Sequence, residues 1–135
     1  MTSRYFDDLS TSVAHALKED VGDVDITAQL IDKKKEARAE VIFRDQALIC
    51  GRPWVDEVFK QVNPDICIEW QKNEGSKSSA GDLIFRVQGN ARSLLTAERP
   101  ALNFLQTLSA TATVTSHYAK LIAHTETKLL DTRKT

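Results

Sequence analysis

The residues best suited to chemistry stand together at the carboxyl end, in Leu129-Leu130-Asp131-Thr132-Arg133-Lys134-Thr135. An apolar run there leads into a guanidinium and an ammonium side by side. Arginine presents a rigid fork that grips a carboxylate or phosphate with two hydrogen bonds, and lysine adds a compact, mobile charge. Residues 114–135 read as a short amphipathic helix followed by a strand over 128–132, and in parallel α/β architectures ligands bind at the carboxyl ends of strands. A small anion is the ligand this pattern suits, and a solvated basic tail is the plain alternative. Arg99 is a second candidate. In Thr96-Ala97-Glu98-Arg99-Pro100 it falls in the first turn of an expected helix capped by Thr96, where a cation opposes the helix dipole unless an anion is close. Pairing with Glu98 or a neighbouring carboxylate would relieve the same conflict.

Other reactive side chains lack the company that chemistry needs. His15, His117 and His124 fall in helical segments with no partner at catalytic spacing. Cys50 and Cys67 sit in apolar strand-like runs without paired metal-type spacing, and read as buried, reduced thiols. Asp20, Asp23 and Asp25 lack the spacing and the closing glutamate of a calcium loop. The glycines are too scattered for a phosphate cradle.

The elements that would position these groups follow from periodicity. Phe6, Leu9, Val13 and Leu17 recur at helical spacing behind a possible cap at Thr2 or Ser3, and an acidic turn follows at 19–25, with a short segment at 27–31. Residues 37–44 alternate as a strand with Ile42 as the exception, and 47–50 extend as a second. Gly51-Arg52-Pro53 opens a helix whose buried stripe is Val55, Val58, Phe59 and Val62, and Asn63-Pro64 ends it. Strands near 66–71 and 83–88 flank a polar, mobile loop at 72–80, with a further strand possible at 92–96. A helix burying Leu102, Leu105 and Leu108 comes next. The run Ser109-Ala110-Thr111-Ala112-Thr113-Val114-Thr115 is rich in poor helix formers, and a break and domain boundary are expected there. The order helix, strands, helix, strands is an α+β pattern of one sheet with helices packed on it.

Bulk properties narrow the class. The 135 residues fit one domain with its own core. With 41% hydrophobic and 27% charged residues the chain is ordinary for a globular protein, and a net charge of −1 gives no footprint for nucleic acid. No apolar run approaches the roughly 20 residues that span a bilayer, and Met1-Thr2-Ser3-Arg4 is followed by no signal-peptide core, so a cytoplasmic protein is expected.

Thr96-Ala97-Glu98-Arg99-Pro100-Ala101-Leu102-Asn103-Phe104-Leu105-Gln106, Leu108-Ser109 and Leu130-Asp131-Thr132-Arg133-Lys134-Thr135 together resemble quinolinate phosphoribosyltransferase, also called nicotinate-nucleotide pyrophosphorylase (carboxylating). Glu19-Asp20-Val21-Gly22-Asp23-Val24-Asp25-Ile26-Thr27-Ala28 is similar to the family's amino-terminal signature, and Gly51-Arg52-Pro53-Trp54 and residues 82–89 fall in the expected order. The resemblance implies an amino-terminal α/β domain of the hammerhead, or open-sandwich, kind over 1–113. Residues 114–135 would then hold the first helix and strand of an incomplete β/α barrel. It further implies formation of nicotinate mononucleotide, pyrophosphate and carbon dioxide from quinolinate and phosphoribosyl pyrophosphate, with Mg2+, in NAD biosynthesis. Thr132, Arg133 and Lys134 would contact substrate, and Arg99 would reach the partner subunit's substrate across a homodimer interface. The magnesium ligands, the later basic residues and the phosphate loops of the family have no counterpart here, so the chain alone is expected to be inactive. A reading from another class is a carrier or assembly module, in which Lys77 would swing from a hairpin tip between the strands around 72–89.

Overall fold

The computed structural model describes residues 6–22 and 28–131. Its architecture over these residues is α+β: two α-helices cover a three-stranded antiparallel sheet, a third packs on those two helices, and a separate two-stranded ribbon lies beside them. Helix α1 (Leu9–Val21) buries Val13 and lays Leu17 on the core, and Gly22, at φ 62°, ends it. The proposed caps Thr2 and Ser3 lie outside the described residues, and the short segment at 27–31 is a 3-10 turn, Ala28–Leu30.

The sheet has the order β1-β5-β3, formed by Glu36–Ile42, Leu83–Asn90 and Cys67–Trp70. Alternation sends opposite chemistry to opposite faces. Val41 pairs with Phe85 and Ala39 with Val87 on the helix side, while on the other face Arg86 donates to Glu40 at 2.8 Å and Arg38 to Gln88 at 3.1 Å. Ile42, the exception to the alternation, marks a register shift between Val41 and Ile42 and is 56% exposed. The core joins Val13, Ile49, Val55, Val58, Phe59, Phe85 and Leu105, with Phe59 and Trp70 rings packed against Phe85.

Residues 72–80 are not the open loop expected from their polarity. Lys77–Ser78 forms β4, antiparallel to β2 (Ala47–Leu48), so the sheet is two sheets rather than one. Lys72 holds Asp82 at 2.7 Å, and Asp82 accepts the Ser79 N–H at 2.9 Å. Glu74 accepts the N–H groups of Gly51 and Arg52 at 2.8 and 3.0 Å. Those are first-turn donors of α2 (Arg52–Val62), which has no side-chain cap of its own, so the segment supplies the missing cap from a distance. Gly51 sits at φ 112°, with Leu108 and Phe104 so close that a Cβ there would meet Leu108 Cδ1 at 3.1 Å.

The largest difference from the sequence reading is α3, a single helix over Ala91–Leu121. Residues 92–96 belong to it rather than to a strand, and Asn90, not Thr96, caps it by accepting from the N–H groups of Arg92 and Ser93. Nor does it break at 109–115. The hydroxyls that make these residues poor helix formers are engaged: Thr111 and Thr113 donate to the carbonyls four residues back, at 3.0 and 2.6 Å. Ser109 both accepts from the Cys50 N–H and donates to its carbonyl, and Thr113 accepts the Leu48 N–H. Tertiary contacts thus override propensity. The expected strand over 128–132 is absent across its described part, 128–131, and Leu129 and Leu130 are 49% and 78% exposed. A strand exists through ladder partners, and none lies beside this segment among the described residues.

Candidate anion site

Arg99 is the one sequence-predicted site residue that the described structure contains. It lies well inside α3 rather than in its first turn, so the expected conflict with the helix dipole does not arise. Leu94, Ala97, Ala101 and Leu105 turn to the core, leaving Glu98 and Arg99 on the exposed side. The Arg99 side chain is 76% exposed and its Nη1 stands 3.3 Å from Asp20 Oδ1. The carboxylate is therefore a neighbour in space, near the end of α1, and not Glu98. Thr132, Arg133 and Lys134, the other three predicted contacts, lie outside the described residues.

Two features escaped the sequence reading. Arg52 lies over the Trp70 ring, 4.7 Å from its centroid, and donates to the Lys72 carbonyl and Asn73 Oδ1 at 3.0 and 3.2 Å. Trp70 in turn donates to Asp56 at 2.7 Å. These bonds occupy Arg52 in fixing the loop after β3 to the start of α2. The second feature is an apolar cleft of about 870 Å³ between the sheet and α3, lined by Ala39, Val41, Phe85, Leu94, Leu102 and Leu105, with Glu98 among its polar residues.

The remaining candidates offer little reactivity. Burial, and then the nearby Glu74 carboxylate, push the Cys50 thiol up. Cys67 is exposed, contrary to the expectation of a buried thiol. His15, His117 and His124 are exposed. Lys77 is paired within β4 opposite Leu48, which removes the hairpin tip that a swinging carrier lysine requires. Among the described residues no group of three or more His, Cys, Asp or Glu side chains is placed to hold a metal ion, and no helix is long and apolar enough to cross a membrane.

Against this geometry, the family model for the amino-terminal domain of quinolinate phosphoribosyl transferase matches residues 25–109. A quinolinate phosphoribosyltransferase [decarboxylating] of Nicotiana tabacum is 37% identical over 130 residues, which is 95% of this chain and 37% of that protein. The solved nicotinate-nucleotide pyrophosphorylase of Francisella tularensis superposes with a TM-score of 0.87 at 45% identity, over 96% of this chain and 46% of that one. NadC of Streptococcus pyogenes superposes with a TM-score of 0.89 at 30% identity, over 100% and 48%. The chain thus spans less than half the length of the relatives it matches.

Proposed function

The chain belongs to the quinolinate phosphoribosyltransferase family, and from that premise we propose that it is the amino-terminal part of an enzyme of NAD biosynthesis. That enzyme joins quinolinate to phosphoribosyl pyrophosphate and releases pyrophosphate and carbon dioxide, leaving nicotinate mononucleotide. The observation that carries this reading is the match of the family's amino-terminal domain across 25–109, with solved relatives superposing on the whole fold. We assign residues 1–113 to that domain and 114–135 to the start of a barrel domain. Support comes from α3, whose buried positions end at Ser109.

Within this reading Arg99 binds a substrate carboxylate across a homodimer interface, and Thr132, Arg133 and Lys134 bind substrate within their own subunit. Quinolinate carries two adjacent carboxylates, and side chains of fixed positive charge are suited to gripping both. Arg99 suits the role physically: its long side chain leaves the helix into solvent and, among the described residues, has one anionic partner, at 3.3 Å. The same reading carries a cytoplasmic location. It also carries Mg2+, whose ligands the family resemblance places in parts of the whole protein outside these 135 residues.

The test is formation of nicotinate mononucleotide by the whole protein supplied with quinolinate, phosphoribosyl pyrophosphate and Mg2+. Quinolinate-dependent product is expected, and none from the 135-residue chain alone. Arg99→Ala should lower kcat/KM for quinolinate about 10- to 100-fold, the equivalent of roughly 1.5–3 kcal/mol for a charged hydrogen-bonded contact. Lys77→Ala should leave it unchanged. A whole protein that makes no nicotinate mononucleotide sinks the activity, and wild-type kinetics in Arg99→Ala sink the role of that residue.

A further inference from the structure

We propose that Asp20 is a positioning residue for Arg99, holding its guanidinium ready for a substrate carboxylate; this rests on the substrate-binding role of Arg99 proposed above. The two residues are 79 positions apart in sequence and belong to different helices, yet Arg99 Nη1 stands 3.3 Å from Asp20 Oδ1. Their exposures are unequal. The Arg99 side chain is 76% exposed and the Asp20 side chain 20%, so the carboxylate is the anchored member and the guanidinium the long, mobile one.

The anchor is firm because α1 is tied down elsewhere. Ser10 donates to Glu57 Oε1 at 3.0 Å, and Gln61 donates to the Ser10 carbonyl at 2.9 Å, fixing α1 on α2. Val13 is fully buried and Leu17 packs on the core, and the Gly22 N–H closes the end of the helix on the Lys18 carbonyl. Asp20 therefore has a set place above α3. An exposed ion pair of this kind adds little to stability, which leaves orientation as what it can supply.

Stoichiometry makes the arrangement productive rather than competitive. A guanidinium has five N–H donors in a planar fork, and Asp20 engages Nη1 alone among the described groups. The Nε and Nη2 donors remain for a second carboxylate. Ordering a rotamer-rich side chain on binding is costly, and an arginine whose fork is held beforehand loses less freedom when substrate arrives. Removal of Asp20 should weaken substrate binding at that carboxylate and leave the chemical step alone.

The experiment compares Asp20→Ala, Asp20→Asn and Asp20→Glu with Arg99→Ala in the whole enzyme, measuring KM for each substrate and kcat. Asp20→Ala should raise KM for quinolinate about two- to tenfold, the range expected when one such side chain must be ordered on binding. KM for phosphoribosyl pyrophosphate and kcat should stay put. Asp20→Glu should restore most of the loss, a rescue that a merely structural role would not show, and Asp20→Asn, nearly isosteric, keeps the test open if the alanine variant folds poorly. A quinolinate KM that is unchanged in Asp20→Ala while Arg99→Ala is crippled overturns the positioning role and leaves the function standing. A lowered KM would make Asp20 a competitor for the fork and also overturns it. If Arg99→Ala is itself silent, both fall together.

Discussion

Helix α3 is one continuous rod with two different surroundings. Over 91–109 it buries Ala91, Leu94, Ala97, Pro100, Ala101, Leu105 and Ser109; over 110–121 it buries none and leaves Val114, Tyr118 and Leu121 each more than half exposed. The exposed apolar residues follow one another at spacings of four and three, so they share a stripe. The helical period thus runs through the whole element while the cover stops near its middle. The amino-terminal half is held by this chain's own sheet and helices. The other half carries a stripe with the same chemistry and no sheet or helix over it among the described residues.

The sharpest test of that contrast removes the same group from both halves. Leu105 is fully buried, and Leu105→Ala should cost about 2–5 kcal/mol through lost transfer free energy and a residual cavity. Leu121 is 56% exposed, and Leu121→Ala should change stability by no more than about 0.5 kcal/mol. Urea denaturation of the 135-residue chain reads both. Equal losses at the two sites would mean that the distal half is covered after all.

A smaller effect is expected where the two halves meet. Ser109 is 2% exposed, and its hydroxyl bonds to both the N–H and the carbonyl of Cys50. Ser109→Ala leaves those two groups part-buried without their partner, which should cost about 1–3 kcal/mol. The loss should appear in the same denaturation experiment, and it should exceed that of Thr111→Ala, whose hydroxyl only returns to its own helix at Thr107. If the two substitutions cost the same, the lateral bonds to the β2 edge do not carry the junction.

This junction also shows why some of the fold was legible and some was not. Helix α2 could be read because its stripe, its proline and its terminating Asn63 are all local signals. Strands β1 and β5 could be read because apolar residues recur at every second position, although the buried Ile84 interrupts the alternation in β5 as Ile42 does in β1. The continuity of α3 through 109–115 was not, because propensity speaks against it and the deciding bonds run to Cys50 and Leu48, 59 and 65 residues away. Strand β4 is two residues long in a polar stretch and has no periodicity to detect. At the candidate site the motif singles out Arg99 as an expectation, but its neighbour Asp20 could not be read, since no local pattern links α3 to the end of α1. The acidic turn around Glu19-Asp20 was the available signal, and nothing in it pointed to a residue 79 positions away.

The smallest expected effect belongs to the loss of the distal half itself. A chain ending at Thr113 keeps every buried position of α3 and the Thr113 hydroxyl that accepts from Leu48, and the described residues that it sheds are partly or largely exposed. Its stability should therefore stay within about 1 kcal/mol of the 135-residue chain, with one cooperative unfolding transition. Association should differ more than stability does. Val114, Tyr118, Leu121, Leu129 and Leu130 expose apolar surface, and burying even two leucines is worth roughly 3–6 kcal/mol before association costs of at least about 4 kcal/mol. The longer chain should then self-associate weakly, visible as a concentration-dependent sedimentation coefficient, whereas the shorter one should not. A shorter chain that loses several kcal/mol would show that residues 114–131 belong to the sandwich domain, and the boundary proposed after residue 113 would have to move.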